Sequence, residues 1–99
     1  MRPASEVELR RLNDTFAELC AIPSPFGHER AVADRVAEEL RSLGLEVEED
    51  DAGEQIGGEA GNLLARLPGR NSDRSVVLCA HLDTVPHDGV VQPVLVEGA

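Results

Sequence analysis

Lysine, tryptophan and tyrosine are absent from this 99-residue chain, and phenylalanine occurs only twice. All nine basic residues are therefore arginines. A phosphate-binding loop needs its lysine, so this class of site is excluded. No polybasic cluster is available for nucleic acid or an anionic membrane, and two phenylalanines form no stacking platform for single strands. The composition predicts an aliphatic core and no nucleic-acid or membrane partner.

Cysteine is also scarce. Cys20 and Cys79 show no spacing typical of a disulfide framework, which favours reduced thiols and a cytoplasmic protein. No signal-peptide h-region follows the N-terminus, and no apolar stretch approaches the length of a membrane span. We therefore expect a soluble protein of the cytoplasm.

Acidic residues outnumber basic ones, and the excess is local. The net charge is −10, and residues 46–59 contain seven of the 19 acids and no base. A solvated edge strand and turn explains this pattern, and a cation-binding role is the alternative. The remainder of the chain is much closer to neutral.

Two amphipathic helices are predicted in the first half of the chain. Ser5 followed by Glu8 is a capping-box pattern that starts a helix over residues 6–20. A second helix is predicted over residues 28–43, with Gly44 as the glycine that ends it. Apolar residues recur at helical spacing on one face of each helix: Leu9, Leu12, Phe16 and Leu19, then Val32, Val36, Leu40 and Leu43.

The remaining residues favour strands and loops. Residues 45–50 alternate as a half-exposed strand does, and residues 51–61, with four glycines, predict a long loop. A second strand is expected over residues 62–67. The apolar run at 75–80 is typical of a strand buried on both faces, and 90–96 of a last extended segment.

These elements predict an α/β fold in which two N-terminal helices pack on the first strands of a mixed sheet. No helix follows the 75–80 strand to cover its second face, as a parallel-type sheet requires. We therefore expect residues 1–99 to be an incomplete part of one domain, with no internal boundary. Unpaired sheet edges would then favour self-association or a loose core.

His81 and Asp83 directly follow the apolar run, at the strand end where ligands bind in open α/β sheets. Histidine is the commonest metal ligand, and a nearby carboxylate can fix its tautomer. Local context leaves two alternatives for each residue. His81 is either a metal ligand or a capped histidine at a strand end, and Asp83 either orients it or starts a turn. Zinc needs three or four protein ligands, so His81 would be only one of the ligands of such a site.

Other chemistry-bearing residues give weaker patterns. His87 would form a His-x5-His pair with His81 but lies in a polar loop, and Cys79 shares a strand face with His81 yet fits a buried thiol better. His28 is expected to be solvated. Residues 57–61 do not match the dinucleotide fingerprint.

Several segments, taken in order, carry a family resemblance. They are Ile22-Pro23-Ser24-Pro25-Phe26-Gly27-His28-Glu29-Arg30, then Leu43-Gly44-Leu45, then Gly61-Asn62-Leu63-Leu64-Ala65-Arg66-Leu67-Pro68-Gly69, and last Ala80-His81-Leu82-Asp83-Thr84-Val85-Pro86. Together they resemble the N-terminal part of zinc-dependent exopeptidases of the peptidase T, aminoacylase and acetylornithine deacetylase group. The segment Ala52-Gly53-Glu54-Gln55-Ile56-Gly57-Gly58 is similar to the peptidase-T-like branch.

The resemblance implies a two-zinc site on a mixed α/β sheet, which hydrolyses an amide bond near the end of a small peptide or of an acylated amino acid. By motif position, His81 would ligate one zinc and Asp83 would be the catalytic-site carboxylate that orients it. In the family the bridging carboxylate, the glutamate base and the other ligands come later in the chain, which implies that this chain alone is inactive. The alternative is a non-catalytic interaction module, or a degenerate remnant, with an exposed sheet edge.

Overall fold

A computed structural model describes residues 2–71 and 73–97 of the chain. The elements are α1 (Glu6–Cys20), α2 (Arg30–Ser42), β1 (Val47–Glu49), α3 (Ala52–Ile56) and β2 (Leu63–Ala65). β1 and β2 form an antiparallel pair, in which Val47 lies opposite Ala65 and Glu49 opposite Leu63. The described residues therefore form a small α/β unit. Its sheet has two antiparallel strands in this part of the chain, where the sequence predicted a mixed sheet.

The capping box at the start of α1 is confirmed. The Ser5 hydroxyl accepts the backbone N–H of Glu8 at 3.1 Å, and the Glu8 carboxylate accepts the backbone N–H of Ser5 at 3.1 Å. Arg2 also pairs with the Glu8 carboxylate, and these hydrogen bonds lower the pKa of Glu8 to about 2. Two N–H groups that lack a helical partner are thus satisfied, and the helix begins and ends at the predicted residues.

α2 ends in a Schellman motif around the predicted glycine. Gly44 adopts a φ of +85°, its N–H donates to the carbonyl of Arg41 at 2.9 Å, and the N–H of Leu45 donates to that of Leu40 at 3.2 Å. A residue with a Cβ atom adopts this left-handed conformation only at a cost in free energy. The glycine therefore ends the helix and turns the chain toward β1.

The buried core is small and lies around α2. The buried apolar residues of the described chain are Val32, Ala33 and Ala37 of α2, together with Ala60. α2 contacts both strands of the sheet. None of the fifteen residues of α1 is buried, and Leu12 and Phe16 on its apolar face are largely exposed. The predicted packing of helices on the sheet is therefore observed for α2.

Ion pairs connect α1 to α2. Arg11 of α1 pairs with Glu39 of α2 at 2.9 Å, and Arg35 of α2 pairs with Glu39 at 3.1 Å and also with Glu18 of α1. The two arginines lower the pKa of Glu39. Exposed pairs of this kind are individually weak, because solvent and salt screen them. The contacts described between α1 and α2 are therefore mainly ion pairs at the surface.

The predicted loop over residues 51–61 contains a short helix. The Asp50 carboxylate accepts the N–H of Ala52 at 3.1 Å at the start of α3, and Gly57 ends it with a φ of +73°. The glycine-rich composition hid this turn of helix, although the hydrogen bond at its start is local and joins Ala52 to the Asp50 side chain two residues earlier. The prediction of a long unstructured loop is wrong for residues 52–56.

The apolar run at 75–80 forms no strand in the structure, and its residues are exposed. The same holds for residues 90–96. A strand buried on both faces needs neighbouring strands for its backbone and a layer of side chains on each face. The described residues supply neither, so the predicted strand is not observed and Cys79 is an exposed thiol.

Within residues 2–71 and 73–97, no helix has the length and hydrophobicity that crossing a membrane requires.

Candidate functional site

The segment that contains His81 and Asp83 lies against the proline-flanked turn after α1. The N–H of Thr84 donates to the carbonyl of Ser24 at 2.8 Å, and the Ser24 hydroxyl donates to the carbonyl of Leu82 at 2.9 Å. Pro25 and Thr84 form an isolated parallel bridge. These contacts join residues 58 to 60 positions apart in the sequence and give residues 82–84 a defined backbone path.

The structure brings the two predicted site residues together. His81 Nδ1 lies 3.1 Å from Asp83 Oδ1, and the imidazole is 93% exposed while the carboxylate is 35% exposed. When Nδ1–H donates to the carboxylate, the lone pair of Nε2 is free for an external ligand. A histidine that ligates a metal is commonly oriented by a carboxylate in this way. An exposed pair is worth at most about 1 kcal/mol, so backbone anchoring matters for its geometry.

The donor set fits one corner of a metal site. Among the described residues, no group of three or more His, Cys, Asp or Glu side chains is close enough to hold a metal ion. His81 offers one nitrogen with a carboxylate behind it, which suits zinc chemically. A zinc site needs three or four protein ligands. Within the described residues, His81 and Asp83 therefore fall short of a complete zinc site.

Cys79 and His87 are the other candidate ligands near His81 in the sequence. Cys79 is exposed on the extended run, so the favoured interpretation of it as a buried thiol is wrong. His87 lies in an exposed segment beside a shallow depression of about 220 Å³, which is lined mainly by Pro23, Pro25, Val85 and Pro86. This depression adjoins the candidate site through Thr84.

A second cluster of charged residues surrounds the start of α2. His28 Nδ1 lies 2.7 Å from Glu59 Oε1, and the N–H of Glu59 donates to the carbonyl of Gly27 at 3.1 Å. His28 is exposed, as predicted, but it has a carboxylate partner that the sequence did not indicate. The partner comes from a loop 31 residues away, so no local pattern could have identified it.

The acidic segment contains structural carboxylates as well as solvated ones. Both oxygens of Glu49 accept hydrogen bonds from Arg30, at 2.8 and 2.6 Å, and Arg30 together with the N–H of Gly61 lowers the pKa of Glu49 to about 2. The backbone and side-chain N–H groups of Asn62 lower the pKa of Asp50. Glu49 and Asp50 are exposed, as expected of a solvated edge, and they also join β1 to α2 and to the Gly-Asn segment.

Comparison with known proteins shows similarity to parts of longer proteins. The chain is 36% identical over 89 residues to the cytosol non-specific dipeptidase of Escherichia coli (strain K12). The aligned region covers 87% of this chain and 17% of that protein. It is 34% identical over 92 residues to the uncharacterized protein YqjE of Bacillus subtilis (strain 168), covering 93% of this chain and 25% of that protein. It is 31% identical over 77 residues to the putative aminopeptidase YhfE of the same organism, covering 78% and 20%.

The chain thus spans a quarter or less of the length of these curated relatives. No family model matches the chain, and no solved structure matches it. Two of the three relatives are named as peptidases. The similarity therefore relates this chain to a part of peptidase sequences.

Proposed function

We propose that residues 1–99 are the N-terminal part of the catalytic domain of a cytoplasmic, zinc-dependent exopeptidase or amidohydrolase of the peptidase-T-like branch. The His81–Asp83 pair carries this proposal, because a solvent-facing imidazole with a carboxylate on one nitrogen is the arrangement of an oriented metal ligand. The partial similarity to a dipeptidase and to a putative aminopeptidase supports the reaction class. The name of the cytosolic dipeptidase supports the compartment.

The roles of the two side chains follow from their contact. We assign Asp83 to holding the imidazole proton on Nδ1, so that His81 would present Nε2 to one zinc ion. In a complete site, two zinc ions would activate the attacking water and polarise the carbonyl of a terminal peptide bond or an N-acyl amide. The substrate class is therefore a small peptide or an acylated amino acid. We propose no nucleic-acid or membrane partner.

The remaining ligands and the general base would have to come from outside the described residues. With one nitrogen ligand and no cluster of three donors in the described chain, a bound ion would lack most of its coordination shell. We therefore propose that this chain alone has no peptidase activity.

A non-catalytic interaction module is the second candidate. The two-stranded sheet and the exposed apolar run at 76–78 favour it, because unpaired edges and apolar segments are typical of surfaces that add a partner strand. In that case His81 would be an ordinary exposed residue, and its replacement would change neither metal binding nor hydrolysis.

The test compares variants of the full-length protein that contains this chain. We expect His81→Ala to lose bound zinc, measured by elemental analysis, and to abolish metal-dependent hydrolysis of a panel of dipeptides and N-acyl amino acids. Asp83→Asn should retain the ligand but orient it poorly, with activity about 10–100-fold lower. His28→Ala is the matched control, since His28 is an exposed histidine paired with a carboxylate elsewhere, and it should keep wild-type zinc and turnover.

Wild-type turnover in His81→Ala would overturn the assignment. If the unmodified protein bound no zinc and hydrolysed none of these substrates, the interaction module would be favoured instead.

A further inference from the structure

We propose that Ser24 is a positioning residue for the His81–Asp83 pair, acting through the backbone between them. The inference rests on the proposed function, because it gives Ser24 a role in metal binding through residues assigned there. Among the described hydrogen bonds, Ser24 makes none to the side chain of His81 or of Asp83. Its hydroxyl holds the carbonyl of Leu82, the residue between His81 and Asp83, at 2.9 Å.

Ser24 makes both hydrogen bonds that tie residues 75–97 to the rest of the described chain. Its hydroxyl donates to Leu82, and its carbonyl accepts the N–H of Thr84 at 2.8 Å. These two bonds enclose Asp83 from either side along the chain. Without them, the described hydrogen bonds would leave the candidate ligand on a segment unattached to α2 and the sheet.

The environment of Ser24 is suited to such a role. Ser24 is 2% exposed and is the one buried polar or charged residue in the part of the chain that the structure describes. A hydrogen bond shielded from water is costly to break, because its partners cannot be solvated instead. The His81–Asp83 contact is exposed and by itself weak. The contact of Ser24 with Leu82, which is part-buried, is therefore the stronger constraint on the pair.

The flanking prolines restrict the backbone of Ser24. Pro23 and Pro25 each have a fixed φ, and a residue before proline is confined to extended conformations. Pro25 also forms the parallel bridge with Thr84. The two prolines thus favour an extended conformation at Ser24, the residue that contacts Leu82 and Thr84.

The experiment measures zinc affinity of the full-length protein by competition with a chelator. We expect Ser24→Ala to weaken zinc binding about tenfold, at the low end of the range for groups that orient a ligand from behind. In an Asp83→Asn background the same change should weaken binding much less, because the orienting carboxylate is already lost. Ser42→Ala is the matched control: its hydroxyl also donates to a backbone carbonyl, that of Glu39 at 2.6 Å, and its loss should leave zinc affinity unchanged.

A purely structural role would give a different result. It would lower the melting temperature of the zinc-free protein equally in both backgrounds and leave zinc affinity unchanged, which would overturn the inference. If Ser24→Ala does not fold, Ser24→Cys keeps the volume but replaces the hydroxyl by a weak donor. Wild-type zinc affinity in that variant would equally overturn it. Unchanged zinc binding in His81→Ala would instead overturn the proposed function.

Discussion

At the level of single residues, Gly61 lies in close contact with Asp50, the residue that follows β1. A Cβ atom at Gly61 would lie 2.7 Å from Asp50 Oδ1 and far inside van der Waals contact with the Asp50 carbonyl. The next residue, Asn62, donates its backbone N–H to Asp50 Oδ1 at 2.7 Å and its side-chain amide to Oδ2 at 3.0 Å. The Gly-Asn pair therefore combines close approach with recognition of one carboxylate.

We predict that Gly61→Ala destabilises the protein by about 1–3 kcal/mol, the usual cost of forcing extra atoms into a filled space. Backbone atoms of Asp50 form the obstacle, so a rotamer change cannot relieve it. Urea denaturation of the full-length protein measures the effect. Gly58→Ala is the control, because a Cβ there meets no atom closer than 3.7 Å. Equal stability of the two variants would contradict the predicted close approach.

At the level of elements, one arginine joins α2 to the end of β1. Arg30 donates from two nitrogens to the two oxygens of Glu49 and also pairs with Asp34 at 2.8 Å. The Glu49 carboxylate additionally accepts the N–H of Gly61 at 3.1 Å. Because Arg30 and the N–H of Gly61 stabilise the ionised form of Glu49, its pKa is lowered from 4.5 to about 2.

This lowered pKa predicts the direction of a pH dependence. A carboxylate whose folded pKa lies below its unfolded pKa stabilises the fold above the unfolded value, and this stability is lost as the pH falls toward the folded value. Glu49→Gln should therefore be less stable than the unmodified protein at pH 7, by about 1 kcal/mol or less for a partly exposed pair. The difference should shrink between about pH 4.5 and pH 2.

Unfolding free energies measured by denaturant titration at several pH values provide the test. Glu48→Gln serves as control, since Glu48 is exposed, adjacent in β1 and in no ion pair among the described residues. A stability difference for Glu49→Gln that stays constant down to pH 2 would show that the ion pair is not its cause.

The molecule as a whole exposes more surface than a self-contained domain of its mass. Its accessible surface is 8721 Å², against about 5,500 Å² for a folded monomer of this mass. Its radius of gyration is 15.8 Å, against about 12.6 Å for a compact domain of this length. Much of the excess is apolar, including the exposed face of α1 and residues 76–78 and 94–96. In the proposed catalytic domain, further polypeptide would cover these surfaces.

We predict that the 99-residue chain, expressed alone, self-associates or unfolds without a sharp transition. Four small buried apolar side chains offset little of the entropy of ordering the chain. Light scattering coupled to size exclusion gives the assembly state, and calorimetry gives the cooperativity of melting. A monomer with a sharp melting transition would contradict this prediction.

Sequence alone determined the features that depend on neighbours a few residues away. The capping box at Ser5 and the glycine that ends α2 involve atoms within one or two turns, so their residue types suffice to predict them. The pairing of His81 with Asp83 is similarly local, because residues two apart on an extended chain lie on the same side.

Only the tertiary structure decided the features that depend on distant partners. The contact of Ser24 with Leu82 joins residues 58 positions apart, and that of Arg30 with Glu49 joins residues 19 apart, so neither has a local pattern. The same reason explains the error at 75–80: an apolar run predicts a buried strand, but burial requires neighbouring strands and covering layers. An apolar pattern indicates that a segment is suited to burial, but the rest of the fold determines whether the segment is buried.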